Sequence, residues 1–307
     1  MRHLLADDDL TPSEQAEILA LAARLKAAPY AERPLEGPRS VAMIFDKPTL
    51  RTQASFGVGI ADLGGHPLLI DGALAGIGER ESVSDVAHVL GRQVAAIVWR
   101  TYAQTKLDQM ARFSGVPVVN ALTDDFHPCQ LLADLLTIQE HKGELAGLTV
   151  AFLGDAACNM GNSWLLAGAT AGMHVRLSGP EGYLPAPEMF ERAASIATTT
   201  GGSVAAIGDP IEAVTGADVV VTDTWISMGK ESEAAERESV FGPWSVTPAL
   251  MEAAADDAVV LHCLPAYRGK EIAAEVLDGP RSLIWDEAEN RLHVQKAVLV
   301  WLLAGRE

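Results

Sequence analysis

The sequence predicts an α/β protein built from two parallel-sheet domains linked by helices. Three observations carry this expectation. The chain has 307 residues, enough for two domains of about 150 residues each. Short β-branched or apolar runs alternate with segments of helical periodicity, and parallel strands require crossover connections of that kind. The alternation then runs a second time, after one long helical segment. With 49% apolar and 21% charged residues, the composition is that of a folded globular chain.

The first element opens at Thr11-Pro12-Ser13-Glu14, a capping box with proline at the first helical position, and its helix runs to about Lys26. After a turn-rich segment at 31–39, strands are predicted at 40–45, 67–70, 95–99 and 117–120. Helices at 51–63, 82–92 and 105–113 lie between them, and a long helix at 127–142 is the expected connection between domains. The second series has strands at 148–154, 174–178, 203–207, 218–222 and 258–262, with helices beginning near Asn159, Pro187 and Thr247. Residues 287–304 carry apolar positions at helical spacing and are expected to close the structure. The reading is two Rossmann-like domains, 1–142 and 143–286, with the closing helix 287–307 packing back on the first. Ligands are expected at the carboxyl ends of the strands, in the cleft between the domains.

Acidic residues outnumber basic ones 41 to 23, a formal charge of −18, which argues against sequence-independent binding to nucleic acid or anionic membrane. An anionic ligand would need positive charge concentrated locally. Cys129, Cys158 and Cys263 lie far apart, form no CxxC pair and cannot all be joined within one chain, so a reducing cytoplasm is the simplest expectation. The opening MRHLLADDDLTPSEQ turns acidic before a signal-like apolar region forms, and the longest apolar stretches, such as 297–304, are too short to span a bilayer.

Four motifs carry chemistry. Phe45-Asp46-Lys47-Pro48-Thr49-Leu50-Arg51-Thr52 runs from a strand into a helix start, where N–H groups, two hydroxyls and a guanidinium can hold a phosphate without a glycine-rich loop. The same residues also suit an ordinary capped helix with a surface arginine. His127-Pro128-Cys129-Gln130 sets a histidine and a glutamine at a helix N-terminus, suited to polarising a carbonyl and reading an amide-like group. A turn histidine before proline is the plainer alternative. Trp99-Arg100-Thr101 offers a second cation at a strand end, or simply a surface arginine. Asp223-Thr224-Trp225-Ile226-Ser227-Met228-Gly229 follows a strand and suits an ammonium group, or forms a polar turn. His262-Cys263-Leu264-Pro265 places a cysteine at a strand end facing the same cleft. Histidine beside cysteine could suggest zinc or a thiol nucleophile, yet neighbours on a strand face opposite ways and no HExxH or paired-cysteine spacing occurs. A dinucleotide site is disfavoured: 148–161 holds only Gly154 and Gly161 in place of GxGxxG, and the next strand ends Arg176-Leu177-Ser178-Gly179 with no carboxylate.

In this order and spacing the motifs resemble the aspartate and ornithine carbamoyltransferase family, from the first helix to Asp286-Glu287-Ala288-Glu289-Asn290-Arg291. Ser227-Met228-Gly229 and His262-Cys263-Leu264-Pro265 resemble the ornithine branch, because the aspartate branch shares the phosphate loop and the His-Pro-x-Gln feature but not these two. The resemblance implies transfer of a carbamoyl group from carbamoyl phosphate to the side-chain amine of L-ornithine, giving L-citrulline and phosphate, in arginine synthesis. It implies that Thr49, Leu50, Arg51 and Thr52 hold the phosphate with Arg100, and that His127, Pro128, Cys129 and Gln130 join Arg100 and Thr52 around the carbamoyl group. Gly76 falls in a loop that often reaches a neighbouring subunit. Asn159 is assigned the ornithine α-carboxylate with the Met228 backbone, Asp223 and Ser227 the α-amino group, and Cys263 and Leu264 the reacting amine. Arg291, from the last helix, is counted with this ornithine group, and Arg100, His127 and Cys263 are the implied catalytic residues. The resemblance further implies trimers or assemblies of trimers, with no metal or organic cofactor.

The chain departs from the family pattern where Leu50 and Gln53 stand in a loop that commonly reads Ser-Thr-Arg-Thr-Arg, and where Gly76 replaces a frequent glutamine. Leu50 offers only its backbone N–H, and Gln53 removes a cation near the phosphate. Two rival readings follow: the same fold acting on another amine or an N-acylated ornithine, and a catalytically silent paralogue that binds a ligand or partner. Residues 227–238, rich in Glu and Ser, have the polarity and glycine of a mobile lid over bound ornithine, and equally suit a static surface loop.

Overall fold

The structure, a computed structural model, describes residues 1–226 and 231–304. The chain forms two compact units, Met1–Leu136 with Ala288–Glu307, and Thr137–Glu287. In the first, β1 (Ser40–Phe45), β2 (His66–Asp71), β3 (Ala96–Arg100) and β4 (Val118–Leu122) make a parallel sheet in the order β2-β1-β3-β4. In the second, β5 (Thr149–Leu153), β6 (His174–Ser178), β7 (Ser203–Ala206), β8 (Val219–Thr222) and β9 (Val259–Leu261) make a parallel sheet in the order β7-β6-β5-β8-β9. Each order reverses direction once, between β1 and β3 and between β5 and β8. Open sheets of this kind collect ligands at the strand carboxyl ends beside the reversal.

The strands read as unbroken apolar runs because helices cover both faces of the sheets. In the first unit Ile44, Ile97 and Trp99 pack with Leu107 and Met110 of helix Gln104–Ser114. In the second, Leu153, Val220 and Val260 pack with Leu250, Val276 and Ile284. Each such side chain, fully buried, contributes about 1.5–3 kcal/mol. The first helix, Pro12–Ala27, carries both halves of its capping box: Glu14 N–H donates to Thr11 Oγ1 at 3.3 Å, and Thr11 N–H donates to Glu14 Oε2 at 3.0 Å.

Three differences from the sequence reading have local causes. The helix near Thr247 is a single turn, Pro248–Met251, capped where Leu250 N–H meets Thr247 Oγ1 at 3.2 Å. The last helix, Ile284–Ala304, begins earlier than 287, because Leu283 N–H is tied to Val260 O at 3.0 Å and the chain turns helical directly after it. Within 227–238, taken as a loop, Glu231–Glu233 and Ala234–Phe241 are helical; Ala234, Ala235 and Glu236 favour helix, and Arg237 Nε reaches back to Glu233 Oε2 at 2.8 Å. Among the described residues, no helix is long and apolar enough to cross a membrane.

Candidate active site

The predicted phosphate and carbamoyl residues all leave carboxyl ends of the first sheet. After β1, Thr49 is half-buried, Leu50 is the N-cap of helix Arg51–Asp62 and 79% exposed, Arg51 is exposed and Thr52 is buried. Leu50 has no side-chain oxygen, so nothing from the cap competes for the first-turn N–H groups. Lys47, buried in the same loop, pairs with Asp124 at 2.5 Å and lies 4.3 Å from the centre of the Tyr102 ring. Arg100 closes β3 where the ladder to β4 slips: Trp99 faces Asn120, but Arg100 faces Leu122. The bulge turns the chain at this point, and Leu122 absorbs it with a φ of 154°.

His127 precedes helix Pro128–Lys142 and is 4% exposed, with Pro128, Cys129 and Gln130 buried in the first turn. Gln130 Nε2 donates to Asp134 Oδ1 at 2.8 Å, which fixes the amide so that its Oε1 accepts from Arg291 Nη1 at 2.8 Å. Arg291 Nη2 donates to Thr52 Oγ1 at 2.9 Å. Arg291 therefore packs with the carbamoyl residues of the first unit, tying two helix starts together. Burial, followed by the charges of Arg291, Arg100, Arg51 and Lys47, holds His127 well below the usual histidine pKa, so its ring is neutral. Burial also pushes the Cys129 thiol up to about 12, and its Sγ–H meets Asn120 O at 3.5 Å, so this side chain is inert.

Two glycines shape the loop after β2. A Cβ at Gly72 would lie 1.8 Å from Asp46 Oδ1, so only glycine allows the loop to press on Asp46, whose other oxygen accepts from Trp99 Nε1 at 3.2 Å. Gly76 ends helix Gly72–Ala75 with a φ of 65°, a left-handed position that favours glycine. It has no side chain with which to reach outward.

In the second unit the predicted amino-acid residues flank the β5/β8 reversal. Asn159, half-buried, opens helix Asn159–Thr170 after β5, and Asp223, also half-buried, follows β8. Asp223 Oδ1 accepts from Thr224 N–H at 2.7 Å and from Cys263 Sγ–H at 3.2 Å. Burial pushes the Asp223 carboxyl up, and His262 and Cys263 offset only part of that rise. Leu264 N–H donates to His262 Nδ1 at 2.9 Å, so Nε2 carries the ring proton toward Glu271 Oε1 at 3.2 Å. This buried pair sets the turn after β9, where Leu264 has a φ of 59°. Ser227 and Met228 lie outside the described residues.

Asp223, His262 and Cys263 bring donor atoms within 4.8 Å of one another. The opposite-face argument against a cluster does not apply, because β9 ends at Leu261 and both His262 and Cys263 lie beyond it. His262 nevertheless has both ring nitrogens engaged, by Leu264 N–H and Glu271, while Cys263 donates to Asp223, so a metal would have to break these bonds.

Arg237 was missed by the sequence reading. Its Nη1 donates to Asp155 Oδ2 at 2.7 Å and to Trp225 O at 2.9 Å, joining the loop after β5 to the loop after β8. A Cβ on Gly154, whose φ is 116°, would lie 3.2 Å from Trp225 Nε1, so these loops also touch directly. A single arginine in a polar segment gave no signal; Asp155 beside a strand end was the available hint.

Residues 2–140 match the carbamoyl-P binding domain, and residues 146–302 the Asp/Orn binding domain, of aspartate/ornithine carbamoyltransferase. The chain belongs to the aspartate/ornithine carbamoyltransferase family. It is 64% identical over 302 residues to an ornithine carbamoyltransferase of Clavibacter michiganensis subsp. michiganensis, covering 98% of each chain. It is 56% identical over 306 residues to that of Rhodococcus jostii, covering 100% of this chain and 97% of the other. Its fold is similar to ornithine carbamoyltransferase from Pyrococcus furiosus, with a TM-score of 0.95, 42% identity, and coverage of 100% of this chain and 98% of that one. In this carbamoyltransferase-family chain Arg291 belongs by sequence to the Asp/Orn match, yet by packing to the first unit.

Proposed function

We propose that the protein is an ornithine carbamoyltransferase, moving the carbamoyl group of carbamoyl phosphate onto the side-chain amine of L-ornithine to give L-citrulline and phosphate. The reading includes a role in arginine biosynthesis, a cytoplasmic site and a homotrimer or assembly of trimers. One observation carries it: in a chain of charge −18, the cations Arg51, Arg100, Arg291 and Lys47 surround a buried, neutral His127. Such a local reversal of charge suits a small phosphorylated dianion.

The chemistry follows from these groups. The carbonyl oxygen of carbamoyl phosphate gains negative charge as an amine adds, and Arg100, neutral His127 and Thr52 are the donors assigned to it. Gln130, its amide oriented by Asp134 and Arg291, is the residue assigned to the carbamoyl NH2. Arg51 and the N–H groups of helix Arg51–Asp62 take the phosphate. In the second unit Asp223 is a half-buried carboxylate whose counter-charge is the α-ammonium of ornithine. An N-acylated ornithine carries no charge at that nitrogen, and putrescine has no carboxylate for Asn159. Retention of Arg51, Arg100, His127 and Cys263 speaks against a silent paralogue.

A substrate panel tests the reading. With carbamoyl phosphate present, ornithine is expected to give product far faster than putrescine or N-acetylornithine. A preference for either of the others overturns the assignment of Asp223.

A further inference from the structure

The turn that presents His127 is held from outside the site. Phe126, the residue before it, has both backbone groups tied to Thr123: Phe126 N–H donates to Thr123 Oγ1 at 3.1 Å, and Thr123 N–H donates to Phe126 O at 2.9 Å. The Thr123 hydroxyl, fully buried, donates to Gln104 Oε1 at 2.7 Å. Gln104 Nε2 then donates to Leu5 O at 3.2 Å. A second branch ends on the same carbonyl: Asn120 Nδ2 donates to Leu5 O at 2.7 Å, while Asn120 Oδ1 accepts from Leu122 N–H at 2.9 Å.

Leu5 is a firm anchor. Leu4 N–H donates to Val118 O at 3.0 Å and Asn120 N–H donates to Leu4 O at 2.7 Å, so the N-terminal segment pairs with the edge of β4. Val118 N–H donates to His3 Nδ1 at 3.1 Å, and the Asp9 carboxylate accepts from Leu5 N–H at 2.6 Å and Ala6 N–H at 3.0 Å. Between this anchor and His127 lies Leu122, with its strained backbone, which also accepts from Thr101 N–H at 3.0 Å directly after Arg100. A strained conformation persists only when its surroundings over-determine it, and the two branches from Leu5 O meet that requirement.

We propose that Gln104 and Asn120, fixed by the carbonyl of Leu5, are positioning residues for His127, making the segment around Leu5 part of the catalytic scaffold. The kinetic part of this inference rests on the carbamoyl transfer proposed above; the placement of the His127 ring does not. Hydrogen bonds that hold a reacting group to a fraction of an ångström affect turnover steeply, and a misplacement of about 1 Å can lower the rate by roughly 100-fold.

Gln104 is half-buried at the start of its helix, so Gln104→Leu removes both bridging bonds without burying a charge. The ring signal of His127, identified by its loss in His127→Gln, is followed by NMR in histidine-labelled protein, beside kcat and KM and a thermal melt. Gln104→Leu is expected to displace the His127 signal and to lower kcat about tenfold or more, with KM for ornithine unchanged. Gln104→Glu keeps an acceptor for Thr123 and loses the donor to Leu5 and to Asp108, so a smaller displacement of the same signal is expected. It also carries the test if Gln104→Leu fails to fold. An unmoved His127 signal in a folded variant overturns the proposal, whatever the melting temperature does. If the wild-type protein makes no citrulline, the function is refuted and the NMR result still decides the positioning role.

Discussion

Replacing Arg291 with methionine separates the packing of this chain from the role implied by its sequence. The guanidinium, 4% exposed, donates at 2.8 Å to Gln130 and at 2.9 Å to Thr52, and it is the largest charge contribution holding His127 low. Methionine fills similar space but removes both bonds and the cation. Thr52, a donor assigned to the carbonyl oxygen, and Gln130 lose the guanidinium that fixes them, and a misplacement of about 1 Å can lower kcat by roughly 100-fold. Thr52 and Gln130 each lose a partner, at about 1 kcal/mol apiece, while a buried cation is relieved of its desolvation, so global stability changes by less than about 2 kcal/mol. Citrulline formation is measured with each substrate varied, and binding of carbamoyl phosphate and of ornithine by calorimetry. The expected result is a kcat loss of that order, weakened carbamoyl phosphate binding and a His127 pKa that moves up. Unchanged kcat with weakened ornithine binding would refute the placement of Arg291 with the carbamoyl group.

Further predictions concern pH and loop structure. His3, His127 and His293 are held below the ordinary histidine pKa in the folded chain, with burial the largest cause each time. The unfolded chain takes up those protons first, so the stability they contribute is present above about pH 6.5 and is lost as pH falls below it. Asp223 and Asp108 act with the opposite sign, since a raised carboxyl favours the folded state on protonation, but three histidines oppose two carboxylates. Urea midpoints should fall between pH 7 and 5, and less so in His127→Gln; a flat profile contradicts the burial of these rings. Arg237→Met leaves Asp155, 6% exposed, without its counter-ion and should lower the urea-unfolding free energy by about 3–5 kcal/mol, partly restored by Asp155→Asn. A loss below about 1 kcal/mol would mean that the pair is solvated. The ornithine side chain, with a reference amine pKa of about 10.4, must react as the free base, so kcat/KM should rise through mildly alkaline pH. A level profile from about pH 6 to 9, with chemistry rate-limiting, removes amine deprotonation from the mechanism.

The legible parts of the fold were those with strong local signals. Apolar runs such as Val41–Phe45 and Val150–Leu153 marked buried strands, and Thr11 to Glu14 showed a cap in full. Sequence proximity could not place Arg291, because its partners Thr52 and Gln130 are met only when helices packed from distant parts of the chain come together. Periodicity could not reveal the one-turn helices Gly72–Ala75, Pro210–Val214 and Ala274–Leu277, which are shorter than any helical repeat. The polarity of 227–238 reads as loop, yet Arg237 is buried there by a carboxylate far away in sequence. At the candidate site, residue types at strand ends were readable, whereas the neutral state of His127 depends on four cations and on burial that only the folded chain supplies.

The most direct test of the central claim is citrulline formation by the purified protein from carbamoyl phosphate and L-ornithine. Stoichiometric citrulline and phosphate, abolished or reduced by at least about 100-fold in Arg100→Ala with the fold intact by circular dichroism, is the predicted result. No citrulline from the folded wild-type protein, or full activity in Arg100→Ala, would contradict it.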